Sequence, residues 1–429
     1  MKKIKENYKK IFMYIGLFLI LFYPFNISFK DYIYVNEYMN LAIQLLGITM
    51  VVIPSYKQII SNIKLSKKII CISIFASIIF IFFRNGDVIN GHFGMPFYIL
   101  EFFLILIIFS SSKEWRKIFA RVFMIFIIEH IIGTWFCFIF RDFYYNNILV
   151  LFKDFSKELI YQFEHGQVAG FTQHYSTNAT YLLQGIVFEC YYLDFNIKKE
   201  RKNIFNWIIL ILNFGAILLT GKRAQLFFGI ISIMATFLIE NRGKNIEIIK
   251  KWYKQIGIAA IFMILIVTCI PPFRGAITKT YDSLMNKDIF LTRKPMNDLA
   301  IEKFVESPVF GKGWGAYKYY YHNELINQER SYMDAHNIYL QLLSEIGIVG
   351  SVMFIGAIVI ILRKILKAQK NVDIKDKRYI YILLAYQIYI LLEGMIGNPI
   401  YDIPVLIPYG FFLAMFLNLI VETREIKKQ

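Results

Sequence analysis

His336 and Asn337 are followed, after nine residues, by Gly347-Ile348-Val349-Gly350. A histidine titrates close to neutral pH. His336 can therefore take a proton from a hydroxyl or hydrogen-bond to an anion. Asn337 reads as the residue that opens a short helix. In that helix Ile338, Leu342, Leu343 and Ile346 form the apolar side, and Asn337, Gln341 and Ser344 the polar side. Two pairs of cations stand out as well, Lys222-Arg223 and Arg293-Lys294. Guanidinium groups make strong, often bidentate bonds to phosphate-type anions, so fixed cations can neutralise negative charge that develops in a reaction. A metal could do the same, but the polar segments hold no Asp-x-Asp pair and no His-rich cluster. The expected site contains neither metal nor cofactor. His174, Trp314 within Gly311-Lys312-Gly313-Trp314-Gly315, and Glu393 complete the set of candidate binding residues.

These residues must be carried by membrane helices. The 429 residues are 57% hydrophobic and 17% aromatic, with only 18% charged, against about 25% charged in a soluble domain. The mean hydropathy is +0.48. The net charge of +17 on its own would suggest nucleic acid. The apolar residues, however, come in blocks about a bilayer thick, separated by short basic clusters. That pattern excludes a soluble enzyme, a basic tail for nucleic acid and a disulfide-rich secreted scaffold. Cys71, Cys137, Cys190 and Cys269 all lie inside apolar blocks and read as small hydrophobes.

The expected fold is all-α and polytopic. Twelve stretches suffice to cross about 30 Å of hydrocarbon: 11–29, 38–55, 69–84, 95–110, 118–140, 178–195, 204–220, 224–240, 256–271, 347–363, 379–396 and 403–421. The first reads as a retained helix rather than a cleaved leader, because no small-x-small site follows it. With both termini in the cytoplasm, the inner segments hold 31 Lys and Arg and the outer ones 16, as the positive-inside rule requires. The +17 is then mostly a statement of topology. Glu101 and the pair Glu129-His130 fall inside spans, where ionisable residues are functional candidates. Glu129 and His130 also read as pairing with each other's neighbours or with Arg121 in the same span, and Glu189 as lying near headgroups.

Two outer segments are long. In 141–178, Ile148, Phe152, Phe155, Leu159 and Phe163 recur at helical spacing, which predicts an amphipathic helix near 148–163 lying on the membrane surface. In 271–345, a helix is expected from about Pro295 to Val305, ended by Ser307-Pro308, then the glycine-rich turn and a tyrosine-rich stretch. The organisation read from this is 1–270 for nine spans and the amphipathic helix, 271–346 for a large outer catalytic loop, and 347–429 for three spans and a cytoplasmic tail.

The His336-Asn337 to Gly347-x-x-Gly350 pattern resembles the end of the large outer loop in the O-antigen ligase and O-antigen or capsular polysaccharide polymerase superfamily. Glu306-Ser307-Pro308-Val309-Phe310-Gly311-Lys312-Gly313 resembles a second stretch of that family. Thr220-Gly221-Lys222-Arg223-Ala224 resembles its Ser-Arg turn, with Lys in place of Ser. Gly170-Phe171-Thr172-Gln173-His174 through Asn178 is a looser match. The resemblance covers about 170–365. It implies metal-independent glycosyl transfer from a polyprenyl-diphosphate-linked glycan to a glycan acceptor, on the outer face of a bacterial cytoplasmic membrane. His336, Arg223 and Arg293 would then be catalytic, and Lys222, Asn337, Lys294, His174, Trp314 and Glu393 would bind substrate. A chain-length regulator and a flippase of the same pathway are the expected partners besides the lipid bilayer, and nucleic acid is not. Polymerisation of repeat units is the preferred reading, with ligase-type transfer to a lipid or protein acceptor as the alternative. A lipid-linked sugar flippase is a third reading, disfavoured because the polar residues concentrate in one outer loop rather than along a central path.

Overall fold

The computed structural model describes residues 2–26, 37–61, 94–110, 115–151, 156–193, 201–242, 288–321, 333–369, 372–373 and 376–426. Every regular element among them is helical. In chain order these are α1 (Lys2–Phe25), α2 (Glu37–Ser61), α3 (Gly94–Phe109), α4 (Trp115–Ile139), α5 (Ser156–Glu164), α6 (Tyr175–Tyr192), α7 (Arg201–Leu219), α8 (Arg223–Glu240), α9 (Asp288–Glu306), α10 (Ala316–Tyr320), α11 (Ile338–Ala368), α12 (Lys377–Glu393) and α13 (Ile403–Ile426).

Helices occupy ten of the twelve stretches that the sequence marks as spans, while 69–84 and 256–271 lie outside the described residues. Among the described residues, five helical stretches are long and apolar enough to cross a membrane: Asn7–Phe25, Trp115–Ile139, Arg223–Glu240, Ile338–Ala368 and Ile403–Ile420. Two examples show what holds others back. The 16 residues of α3 reach only about 24 Å. The interior of α6 is broken by Asn178, Gln184 and Glu189, all buried.

The chain divides into two compact units, one of residues 1–25, 36–123 and 290–429, the other of 26–35 and 124–289. In the first, α1 and α2 cross closely, with Gly16 and Gly47 each facing the other's backbone carbonyl. Aromatic rings fill the junction of α3, α4 and α13: Phe119 stacks on Phe411 at 4.7 Å, and Phe109 lies 5.0 Å from the same ring. Arg121 donates to the Tyr14 hydroxyl.

In the second unit, α6 is the central helix. Glu189 is wholly buried and accepts two hydrogen bonds from Asn213 of α7, at 3.1 and 3.2 Å. This corrects the reading of Glu189 as a headgroup neighbour: a carboxyl inside a helix pair keeps its place by finding a polar partner. His130 is buried and stacks on Tyr181 at 4.2 Å.

The predicted amphipathic helix is broken into shorter pieces. A π turn covers Tyr144–Ile148, a 3-10 turn Leu149–Leu151, and α5 begins at Ser156. Leu159 and Phe163 of α5 pack with Cys137, Tyr144, Leu149, Val168, Ala169 and Leu219. Its apolar side therefore covers protein, which satisfies the same hydrophobic periodicity that predicted a membrane surface. Phe152 and Phe155 lie outside the described residues.

Candidate functional site

In the second unit, α7 ends at Leu219 and α8 starts at Arg223, with Thr220-Gly221-Lys222 between them. Gly221 has φ +72°, and the Thr220 hydroxyl accepts from the Lys222 amide at 3.3 Å. This tight reversal places Lys222 at the N-cap of α8 and Arg223 at its first helical position. The Lys222 ammonium lies 5.0 Å from the centre of the Tyr175 ring.

The entry to α6 adjoins this turn. The Val168 amide donates to the Leu219 carbonyl at 3.0 Å, and Gln225 of α8 reaches Thr180 of α6 at 3.2 Å. His174 is the N-cap of α6: its Nδ1 accepts from the Ser176 amide at 3.1 Å, and its Nε2 lies 3.6 Å from Glu158 of α5. The structure thus brings His174, Lys222 and Arg223 to one end of a helix pair.

Cations there are electrostatically unusual, because a helix N-terminus already carries partial positive charge. Lys222 and Arg223 add to that field, and an anion at the same place relieves it. Chemically, the turn is equipped to hold phosphate oxygens.

In the first unit the arrangement is different. The long helix α11 continues past Gly347, whose φ of 62° and ψ of −169° lie outside the helical range, so α11 is kinked there. The turn Pro308–Gly313 fills the kink. Lys312 and Gly313 donate their amides to the carbonyls of Ser344 and Glu345, both at 2.8 Å. On the other side, Ile348 and Val349 donate to the carbonyls of Pro308 and Val309, at 2.9 and 3.2 Å. The backbone groups freed by the kink are thereby satisfied, as buried amides and carbonyls must be. A side chain at Gly347 would lie 2.4 Å from the Val309 carbonyl oxygen, and one at Gly311 2.4 Å from that of Glu345. The spacing of the two glycine motifs has this physical cause.

Asn337 caps α11, accepting from the amides of Tyr339 and Leu340 at 3.1 and 3.2 Å. This agrees with the sequence reading of it as a helix-opening residue. His336 has φ +52°, unique among the described non-glycine residues. Such a backbone costs on the order of 1 kcal/mol and persists only where its surroundings hold it.

Arg293 sits half-buried in the first part of α9, and Lys294 beside it is exposed. Burial pushes the Arg293 guanidinium below its ordinary pKa, and Glu393 at the end of α12 works against that. Trp314 stacks on Tyr401 with ring centres 5.0 Å apart and planes 18° from parallel. Lys312 is tied to Glu306 at 2.7 Å; Lys312 and Lys303 together hold the exposed Glu306 carboxyl below its ordinary pKa.

A buried polar network escaped the sequence reading. Gln341, Ser344 and Glu345 are almost wholly inaccessible. Glu345 accepts from the Tyr401 hydroxyl at 2.6 Å, from Gln341 at 3.1 Å and from the Tyr317 amide at 3.3 Å. Asp334 pairs with Lys318 at 3.0 Å. Burial opposes the charge on Lys318, but Asp334, Asp402 and Glu345 outweigh it and raise its pKa. The available signal was the polar stripe Asn337, Gln341, Ser344 at helical spacing. Among the described residues, no group of three His, Cys, Asp or Glu side chains could hold a metal ion.

Residues 208–355 match the family model described as O-antigen ligase. The match covers about a third of the chain and supports a relation of that segment to the O-antigen ligase and polymerase superfamily. The matched segment contains Lys222, Arg223, Arg293, Lys294, Trp314, His336 and Asn337, and leaves out His174 and Glu393. Among curated proteins, none matches the chain. Five helices long and apolar enough to cross a membrane, together with this match, support a membrane protein, and the matched family supports an enzyme.

Proposed function

We propose that this protein is a membrane glycosyltransferase that polymerises polyprenyl-diphosphate-linked oligosaccharide repeat units on the outer face of a bacterial cytoplasmic membrane. The observation that carries the proposal is the O-antigen ligase segment at 208–355, within which Lys222 and Arg223 load the N-terminus of α8 with positive charge.

The chemistry follows from those residues. The glycosidic carbon–oxygen bond of the donor breaks, and the polyprenyl diphosphate leaves with the electron pair. Arg223, Lys222 and Arg293 stabilise the charge on that leaving group, with His174 and Lys294 as further donors to its oxygens. A positioned donor of this kind in a water-poor site contributes roughly 3–4 kcal/mol to the transition state. The acceptor hydroxyl forms the new bond and gives its proton to His336. Trp314 and Glu393 bind sugar, through ring stacking and hydroxyl hydrogen bonds, and Asn337 orients His336. Fixed cations supply the electrostatics, so the reaction is proposed to run without a metal. The full topology we propose has twelve spans, both termini in the cytoplasm and the site at headgroup depth. A chain-length regulator and a flippase would act beside it.

A second reading, transfer of a finished glycan to a lipid or protein acceptor, is favoured by the description of the family model itself. A gel of surface glycans from a deletion strain separates the two. One repeat unit on the final acceptor identifies a polymerase, and full-length polymer left on its carrier lipid identifies a ligase. An unchanged glycan pattern would refute both.

A further inference from the structure

We propose that Gln341 is a positioning residue that sets the direction in which the His336 imidazole leaves the backbone. The inference rests on the reading of His336 as the group that handles the acceptor proton. Its support is the way the positive-φ backbone of His336 is held on both sides. On the N-terminal side, the Ala335 amide donates to Gln341 Oε1 at 2.9 Å, a bond that reaches six residues ahead into α11. On the C-terminal side, the Asn337 cap and the Ile338 amide, which donates to the Gly394 carbonyl at 2.9 Å, fix the start of the helix.

Gln341 is wholly buried and uses every hydrogen-bonding site of its amide. Its oxygen accepts from Ala335 and from the Asn398 side chain. Its nitrogen donates to Asp334 Oδ1 at 2.9 Å and to Glu345 Oε1 at 3.1 Å. The reversed amide would set its oxygen against two carboxylates and its nitrogen against two donors, so chemistry fixes its orientation. The carboxylates are anchored in turn, Asp334 by Lys318, and Glu345 by Tyr401 and the Tyr317 amide. With Asp334, Ala335 and Asn337 all pinned, the strained residue between them has no neighbour that can relax it. Gln341 is the member of this network whose side chain holds both residues that precede His336, and it is placed to act on the imidazole through the backbone.

The test uses full-length protein in detergent with the lipid-linked repeat unit extracted from the source strain. Gln341→Met keeps the side-chain volume and removes all four hydrogen bonds. Misplacing a reacting group costs about 10–100-fold in rate, so kcat should fall by that factor while KM stays within about twofold. In protein labelled with 15N-histidine, the His336 resonance, assigned by its loss in His336→Gly, should move or broaden while the other histidines stay in place. A kcat within about twofold of the parent, or an unmoved His336 resonance, overturns the inference. Should Gln341→Met fold poorly, Gln341→Glu keeps the acceptor for Ala335 but sets a carboxylate against Asp334 and Glu345, and the same displaced resonance is expected. Full turnover by His336→Gly would instead overturn the reading of His336, and this inference with it.

Discussion

Two glycine-containing turns carry the residues of interest, and they spend their chemistry in opposite ways. The Thr220–Arg223 turn satisfies its backbone locally, through the Thr220 hydroxyl and the carbonyl of Gly221, and presents its charge on side chains. The Pro308–Gly313 turn gives its backbone to α11, four amide–carbonyl bonds across the kink at Gly347, and ties its cation Lys312 to Glu306. A Lys within a glycine-rich turn is therefore no guide to anion binding by itself. What distinguishes Lys222 is its place at a helix N-terminus beside Arg223, where positive charge accumulates.

The contrast can be broken first at Gly347. Gly347→Ala demands a positive φ from an L-residue and puts its Cβ against the Val309 carbonyl, at a cost on the order of 3 kcal/mol. The expected outcome is a steep loss of monodisperse protein in detergent, and normal yield would show that the wedged turn is dispensable. His336→Ala should lower turnover by about 10²–10⁴-fold with insertion intact; near-normal turnover would reduce His336 to a structural residue. Arg223→Ala should abolish chain growth, a loss of about 10²–10³-fold, again with the protein inserted. Normal polymer length in that variant would remove the diphosphate role from the first turn. The smallest effect belongs to the second turn's cation. Lys312→Ala breaks a partly exposed ion pair worth up to about 1 kcal/mol and should leave polymer length unchanged. A collapse of polymer length there would erase the distinction between the turns.

What the sequence made legible was local. Helical stretches emerged from hydrophobic runs, and His336, Asn337 and Gly347 from their spacing, because each signal sits within one segment. Residues whose partners lie on other segments did not emerge. Gln341 reads only as part of the polar side of a short helix, and Glu345 is not singled out, until Asn398, Tyr401 and Lys318 are placed around them. Glu189 reads as a headgroup neighbour until Asn213 of the next helix is seen beside it. The apolar side of α5 predicted burial correctly and the medium incorrectly, since periodicity reports that a face is covered and not by what. Arg293 was picked out by its charge and by the resemblance, and that the charge of Glu393, far away in the chain, acts on it is visible only in the fold.

The central claim is bond formation rather than passage of a lipid-linked sugar. Purified protein reconstituted with the lipid-linked repeat unit, in the presence of EDTA, tests it most directly. Longer lipid-linked chains are the expected product, with growth lost in Arg223→Ala. Movement of the unit across the bilayer without any two units becoming joined would contradict it.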